Sequence, residues 1–322
     1  MAVRQCLLCY KPLTGTERDF HAACSRRFFG TSEPPELPYA LDEMHELANQ
    51  VVRSSVSVTG VQAKLSMDLQ TYKETRKKSR FTIVAMWGNF VLKPPAEDYA
   101  SLPENEDLTM HLAELFRIRT VPHSLIRLKS GELAYITRSV DRPNGKKLAM
   151  EDMCQLTERL TEDKYKGSME QIGKVIGRFS ENRGFDLLEF FQVALFSFLV
   201  GNADMHLKNF SLLRTAEGLI SLAPAYDLVA TKIVLPNDQE ETALTINGKK
   251  RNLQPNDFHS LSNALEVSER VVDNTLDSFS RAIPSAVAFV QESFLSTRQR
   301  EAFTVLLKER SKRLGLVVKA VS

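Results

Sequence analysis

The sequence has few of the features that mark disulfide scaffolds, membrane-spanning chains or highly charged proteins. It contains only four cysteines in 322 residues, so a disulfide framework is excluded and a reducing, cytoplasmic environment is expected. Its longest apolar run, Phe190 to Val200, is shorter than the roughly 20 residues needed to cross a bilayer. The first residues lack an apolar leader region, so no secretory signal is expected. The net charge of +2 does not require a nucleic acid or an anionic membrane as a partner.

Sequence repeats and the common nucleotide-loop motifs are also missing. The chain has no internal repeat and no sustained heptad, which excludes solenoids and coiled coils. It has no G-x-G-x-x-G and no G-x-x-x-x-G-K-[ST], which excludes a standard glycine-rich kinase loop and a Walker A loop. With 43% hydrophobic and 25% charged residues, the composition is that of an ordinary folded protein, and the length suggests two lobes.

Hydrophobic periodicity divides the chain into a β-rich half and a helical half, an α+β arrangement. We expect a Cys/His segment and linker over residues 1–38, a β-rich lobe over 39–148 and a helical lobe over 149–322. The predicted strands are Val61–Leu69, Phe81–Ala85, Phe90–Lys93, Leu125–Leu128, Leu133–Thr137 and the hairpin pair Asn209–Leu213 and Leu219–Leu222. The predicted helices are Leu41–Val52, Glu106–Arg117, Met169–Phe179, Asp186–Leu199 and Arg298–Arg313, with a helical pattern from about Met150.

The stretch GNADMHLKN, residues 201–209, carries the most informative polar residues. Asp204 precedes Asn209 by five residues, and Asp227 follows Asn209 by 18 residues across the predicted hairpin. Phosphoryl transfer needs a carboxylate that accepts the proton of the attacking hydroxyl, and oxygen ligands that hold Mg²⁺ on the phosphates. A Gly-Asn-x-Asp string alone is more often a turn or a helix cap, but the full spacing predicts a metal–phosphate site.

Four other residues support this prediction. Lys208 could neutralise the transferred phosphoryl group, and His206 is expected to brace the site by hydrogen bonding. Lys93 ends a predicted strand, and Glu106 opens the next helix, where its carboxylate could hold the lysine. Taken singly, a lysine at a strand end is usually solvated and a glutamate suits a first helical turn.

The segment from Ser54 to Lys64 stands where a glycine-rich phosphate loop would be expected. It is rich in hydroxyl groups, contains one glycine, Gly60, and leads directly into a predicted strand, so its main-chain N–H groups could bind phosphates. Ser57 and Thr59 would lie close enough to a γ-phosphate to become phosphorylated themselves.

Taken together, these motifs resemble the HipA-family serine/threonine kinases, toxins of bacterial HipBA-type toxin–antitoxin modules, and in particular their short HipT-like members. The matching motifs occur in the same order as in the family, from about residue 50 to 230. It is carried by VSVTGVQAKLS (56–66), LKP (92–94), ENE (104–106), VDR (140–142), EDMCQ (151–155), DKY (163–165), DMHLKN (204–209) and YDL (226–228).

The resemblance implies a two-lobed protein-kinase-like (HipA-type) fold with ATP and Mg²⁺ between the lobes. Asp204, together with Lys208, would carry catalysis, Asp204 as the base, and Asn209 and Asp227 would bind the metal. Ser57 and Thr59 occupy the places where the family autophosphorylates. The nucleotide contacts would come from Lys93, Gly60, Val61, Glu106, Arg138, Val140 and His206, with Arg138 and Val140 in the hinge beside adenine.

The resemblance also implies a function and partners. The chain would be an autophosphorylating kinase that acts on a translation component such as an aminoacyl-tRNA synthetase. A HipB-like DNA-binding antitoxin would be its partner and its indirect link to DNA, and a HipS-like small protein would join in a tripartite module. Two alternatives stay open: a small-molecule phosphotransferase, and an inactive kinase-fold binding module. The hydroxyl-rich loop favours the protein kinase over the first, and the intact Asp204, Asn209, Asp227 and Lys93 argue against the second.

The N-terminal cysteines pose a separate question. Cys6, Cys9, His21 and Cys24 follow the pattern C-x2-C-x11-H-x2-C, which is within the range of a small zinc site. The same residues could instead pack on the β-rich lobe, with the cysteines acting as small hydrophobic side chains. A nucleic-acid-reading finger is disfavoured because no basic helix follows.

Overall fold

The protein has an α+β fold that divides into two compact units. One unit comprises Met1–Asp107 and Val121–Gly145, and the other comprises Leu108–Thr120 and Lys146–Ser322. The first is rich in strands and the second is mostly helical, as the periodicity predicts. The computed structural model describes residues 4–44, 46–47, 64–70, 79–84, 88–142 and 145–316.

The first unit contains a five-stranded antiparallel sheet. Its strands are β1 (Leu65–Gln70), β2 (Arg80–Ile83), β3 (Phe90–Lys93), β4 (His123–Arg127) and β5 (Leu133–Arg138), in the order β2-β1-β3-β5-β4. Each matches a predicted strand to within a few residues, apart from residues 61–63 and 85, which lie outside the described residues. Strand β4 is therefore an edge of this sheet.

Aromatic side chains form much of the core of the first unit. Helix α1 (Ala22–Phe29) contributes Phe28 and Phe29, and the sheet contributes Phe81 and Phe90. The rings meet edge to face, with centroids 5.9 Å apart for Phe29 and Phe81 and 6.0 Å apart for Phe28 and Phe90. Such pairs stabilise a core beyond the area they bury, so the short N-terminal helix is packed firmly on the sheet.

Helix α2 (Leu102–Leu115) begins four residues before the predicted start at Glu106. Pro103 fits the first turn, where its missing N–H is not needed for a helical hydrogen bond. Glu106 consequently lies in the second turn and does not open the helix. Of the other predicted helix, Leu41–Val52, residues 41–44 and 46–47 are helical and the rest lies outside the described residues.

The second unit is built around a buried helix, α5 (Arg183–Val200), as the almost entirely apolar stretch Asp186–Leu199 predicts. Phe116 packs against Phe196 of this helix and against Phe279. Capping residues fix neighbouring helices: Ser168 accepts a hydrogen bond from the Gln171 N–H at the start of one of them. The other helices are α3 (Met153–Leu156), α4 (Met169–Phe179), α6 (Thr231–Val234), α7 (Pro255–Ala264), α8 (Glu269–Glu292) and α9 (Thr297–Arg313).

A small three-stranded antiparallel sheet completes the second unit. It comprises β6 (Met150–Asp152), β7 (Ser211–Arg214) and β8 (Ile220–Leu222), and β7 lies in the middle. The predicted hairpin is confirmed, although Asn209 lies in a one-turn 3-10 helix and not in the strand. The prediction of a helical pattern from about Met150 is wrong for the three residues Met150–Asp152, which form β6. A strand of three residues is too short to show the alternating hydrophobic pattern that would reveal it. No helix among the described residues is long and apolar enough to cross a membrane.

Candidate active site

The loop that follows α5 begins at a glycine that no other residue can easily replace. Gly201 has φ +75°, and a Cβ atom there would lie 2.7 Å from Leu306 Cδ2 and 2.9 Å from Lys232 Cβ. The next residue, Asn202, accepts a hydrogen bond at Oδ1 from the Asp204 N–H, at 3.0 Å. This local turn fixes the direction in which Asp204 leaves the helix.

Asp204, the predicted base, is half-buried and held from two sides. The Tyr165 hydroxyl donates to its Oδ1 at 2.7 Å, and the Asn209 side-chain N–H donates to its main-chain oxygen at 2.9 Å. The second bond occupies the amide nitrogen of Asn209, so the amide oxygen is the atom that can ligate a cation. Asp204 and Asn209 are therefore brought together as the spacing predicts.

Asp227 joins this neighbourhood through the turn after β8. Its φ of +61° is uncommon for a residue other than glycine, and aspartate is among the side chains that tolerate it. Burial raises the pKa of Tyr165, and the hydrogen bond to Asp204 and the charges of Asp204 and Asp227 raise it further. The charges of Asp204 and Asp227 therefore both affect the Tyr165 hydroxyl, which indicates that the two predicted acidic residues lie near the same tyrosine.

His206 is buried in the same loop and braces it through its main chain. Its N–H donates to Asp204 at 2.8 Å, its carbonyl accepts from the Asn209 N–H at 2.9 Å, and its ring meets Tyr165 edge to face. Burial lowers the pKa of the ring, so the neutral form is favoured at neutral pH. Within the part of the chain that the structure describes, nothing hydrogen-bonds to its buried Nδ1.

Lys208 has a protein partner that the sequence does not predict. Its Nζ donates to Asp152 Oδ2 at 2.7 Å. The pairing of β6 with β7 sets this contact, because Asp152 lies opposite Ser211 in the ladder. The Tyr226 hydroxyl also donates to the Lys208 carbonyl at 3.0 Å, so this lysine is anchored on both its side chain and its main chain.

In the first unit, Lys93 and Glu106 form the predicted ion pair. The Nζ of Lys93, at the end of β3, lies 2.5 Å from Glu106 Oε1, and the two side chains are only 4% and 2% exposed. The lysine also lies over the Tyr135 ring. A buried charge is kept only when it is paired, so α2 holds this lysine in a fixed position.

The other predicted site residues lie in the first unit or outside the described residues. The Arg138 guanidinium donates to the Phe28 carbonyl and lies over the Phe28 and Phe90 rings, which anchors α1. Val140 is half-buried in the turn after β5. The remaining four, Ser57, Thr59, Gly60 and Val61, lie outside the described residues.

Two residues at the site are missed by the sequence reasoning. Tyr165 and Asp152 both belong to motifs that resemble the HipA family, DKY and EDMCQ, but no role follows from the motifs alone. Their partners lie 39 and 56 residues away in sequence. The available hint in the sequence is that an acidic residue and a tyrosine hydroxyl lie in two family motifs that precede the candidate catalytic loop.

Comparison with known proteins identifies the fold as protein-kinase-like, of the HipA type. HipA of Shewanella oneidensis MR-1, solved with HipB and operator DNA, superposes with a TM-score of 0.66 at 20% identity, covering 88% of this chain and 74% of that one. The proinflammatory kinase CtkA of Helicobacter pylori superposes with a TM-score of 0.51 at 16% identity, covering 71% and 89%. The two-lobed α+β prediction is confirmed.

Residues 56–287 match the family model described as the HipA-like C-terminal domain, so the chain belongs to this family. "Putative kinase Y4dM" of Sinorhizobium fredii is 31% identical over 262 residues, which are 76% of this chain and 61% of that protein. "Serine/threonine-protein kinase toxin HipA" of Shewanella oneidensis is 26% identical over 260 residues, 73% and 57% of the two chains. The chain thus spans about three fifths of the length of the curated relatives it matches.

Proposed function

We propose that the protein is an ATP-dependent serine/threonine protein kinase of a toxin–antitoxin module. The observation that carries the proposal is the contact between Asp204 and Asn209 in the loop before β7, beside the Tyr165 hydroxyl that donates to Asp204. Asp227, after β8, is near enough for its charge to raise the pKa of the same tyrosine. Membership of the HipA-like family supports the same assignment.

In the proposed reaction, the hydroxyl oxygen of the acceptor attacks the γ-phosphorus of ATP, and the bond to the bridging oxygen of ADP breaks. Asp204 orients the hydroxyl and accepts its proton. The Asn202 turn and the Asn209 amide hold the main chain of Asp204 in place, so little reorganisation is needed as the proton moves. His206 braces the loop through its main chain.

Asn209 and Asp227 are proposed to hold Mg²⁺ on the phosphates. An amide oxygen and a carboxylate are the oxygen donors this cation prefers, and the donor set therefore fits. When bound, the ion neutralises charge that develops on the phosphate oxygens. Zinc has no part in this step, since its candidate ligands Cys6, Cys9, His21 and Cys24 are proposed as a structural site in the N-terminal segment.

The remaining nucleotide contacts are proposed from the family resemblance and the first unit. Lys93, held by Glu106, would contact the ATP phosphates. Gly60 and Val61 would supply main-chain N–H groups, and the residues around Val140 would meet adenine. Arg138 would act there through its main chain, because its side chain is engaged with Phe28. Ser57 and Thr59 would be the self-phosphorylated hydroxyls. Lys208 would serve by fixing the loop to Asp152.

A HipB-like DNA-binding antitoxin is the proposed partner. The structural neighbour from Shewanella oneidensis is a complex of HipA with HipB and operator DNA, which supports a partner of this type. A HipS-like small protein would be added in a three-component module, and a translation component such as an aminoacyl-tRNA synthetase would be the substrate.

Incubation of the purified protein with γ-labelled ATP, alone and with cell lysate, tests this function. We expect label on the protein itself, mapped to Ser57 or Thr59 by mass spectrometry, and on one lysate protein. A labelled small molecule in place of a labelled protein would instead indicate a small-molecule phosphotransferase. If no phosphate is transferred although ATP and Mg²⁺ are supplied, the result would indicate an inactive binding module.

A further inference from the structure

We infer that Cys6, Cys9, His21 and Cys24 bind one structural zinc ion, which fastens the N-terminal segment to the edge of the five-stranded sheet. The Sγ atoms of the three cysteines and one ring nitrogen of His21 all lie within 4.8 Å of one another. None of the three cysteines forms a disulfide. The inference is independent of the proposed kinase activity.

The distances within the cluster match a tetrahedral zinc site. Zinc–sulfur and zinc–nitrogen bonds of about 2.3 and 2.0–2.1 Å place neighbouring sulfur and nitrogen ligands roughly 3.5 Å apart in a tetrahedron. His21 Nδ1 lies 3.5 Å from Cys9 Sγ and 3.8 Å from Cys24 Sγ. The four donors therefore surround a space of the right size for the ion.

The orientation of the histidine provides a second, independent observation. Its other nitrogen, Nε2, lies 3.0 Å from the Pro12 carbonyl oxygen. A carbonyl can only accept a hydrogen bond, so Nε2 carries a proton, and in the neutral ring Nδ1 then presents its lone pair to the cysteines. A ligand histidine that donates its other N–H to a carbonyl is the usual arrangement at protein zinc sites.

Local backbone structure explains how four ligands spread between Cys6 and Cys24 converge. Cys6 and Cys9 lie in a tight turn, in which Tyr10 N–H donates to the Cys6 carbonyl and Cys6 N–H donates to the Lys11 carbonyl. His21 occupies the N-cap position of α1, and Cys24 lies one turn later on the same helix face. The turn and the helix end thus each present two ligands.

The segment that carries the ligands covers the edge strand β4. The Leu125 N–H and the Ser124 hydroxyl both donate to the Leu7 carbonyl. The Tyr10 hydroxyl donates to Asp107 at 2.7 Å, and Asp107 also bonds His123 at 2.7 Å, all three side chains being buried. Uncovered sheet edges pair with other chains, so fastening this segment protects the sheet.

These contacts favour a structural zinc over a catalytic or nucleic-acid-reading one. Four protein ligands complete the coordination of zinc and leave no open position for water or substrate. The helix that carries His21 and Cys24 uses Phe28 and Phe29 to pack on the sheet, so its apolar face is already occupied. The ion would join the turn to the helix and hold both against β4.

Metal analysis of the full chain, purified without chelator, tests the inference. We expect one zinc ion per chain, and the spectrum of a tetrahedral thiolate site when cobalt replaces zinc. Cys24→Ser should weaken binding at least about 100-fold, since it removes a ligand. Cys154→Ser, which changes a buried cysteine in the second unit, is the matched control and should keep the full zinc content.

A second pair of variants separates loss of metal from loss of folding. His21→Cys retains four zinc-binding side chains and should keep the ion, whereas His21→Ala should lose it. A chelator should lower the melting temperature of the wild type but not of Cys24→Ser. The inference would be overturned by a wild type that holds no zinc and gives no tetrahedral cobalt spectrum, or by Cys24→Ser with undiminished affinity.

Discussion

Asp204→Asn is expected to reduce phosphate transfer by about 10²–10⁴-fold, the range contributed by a positioned base, and to leave the protein folded. The amide has the shape of the carboxylate and can still accept the Tyr165 hydrogen bond at Oδ1, but it cannot take a proton from the acceptor hydroxyl. The main-chain bond from Asn209 is unchanged by the substitution. Transfer rates with saturating ATP, together with circular dichroism, provide the measurement.

Two further variants make this result specific. Asp273→Asn changes an exposed aspartate of α8 and should be indistinguishable from the wild type. Tyr165→Phe removes one hydrogen bond to the same carboxylate but leaves the proton acceptor, so a loss of roughly tenfold or less is expected. If Asp204→Asn instead keeps the wild-type rate, Asp204 is not the base.

Lys93→Met is expected to destabilise the first unit by about 3–5 kcal/mol. The substitution keeps most of the apolar side chain but removes the cation that faces the buried Glu106 carboxylate, and breaking a buried ion pair is costly. Combining it with Glu106→Gln should recover much of the loss, because the second change removes the buried charge. Urea unfolding of the two single variants and the double variant measures the coupling.

A surface ion pair in the second unit provides the comparison. Lys250 and Glu240 lie 3.5 Å apart with side chains 28% and 37% exposed, so Lys250→Met should change stability by less than about 1 kcal/mol. Equal effects of Lys93→Met and Lys250→Met, or a double variant no more stable than Lys93→Met alone, would contradict a tight buried pair.

Local patterns predict the elements of the fold and much of the candidate site. Strand β3 and helix α4 begin and end where periodicity places them, and the spacing of Asp204 and Asn209 predicts their contact. Lys93 and Glu106 also pair as expected. The strand, the helix and the Asp204–Asn209 contact each depend on one short segment, whereas the pairing of Lys93 with Glu106 joins β3 to α2 and was expected by analogy with the lysine–glutamate pair of kinases.

Features that depend on tertiary pairing could not be predicted in this way. The contact of Lys208 with Asp152 follows from the register of β6 on β7, and β6 is only three residues long. Tyr10 meets Asp107 across 97 residues of sequence. Nothing in the residue types of these partners specifies which distant chain segment they will face, because that choice is made by the packing of the whole unit.

The dependence of ATP affinity on Mg²⁺, measured by calorimetry for the wild type and for Asp227→Asn, tests the proposed metal–phosphate site most directly. Asn209 and Asp227 are proposed to hold the cation, so the wild type should bind ATP more tightly with Mg²⁺ than with a chelator. Asp227→Asn should lose most of that difference while remaining folded. The proposal would be contradicted if the ATP affinity of the wild type did not depend on Mg²⁺, or if Mg²⁺ raised the ATP affinity of Asp227→Asn as much as that of the wild type.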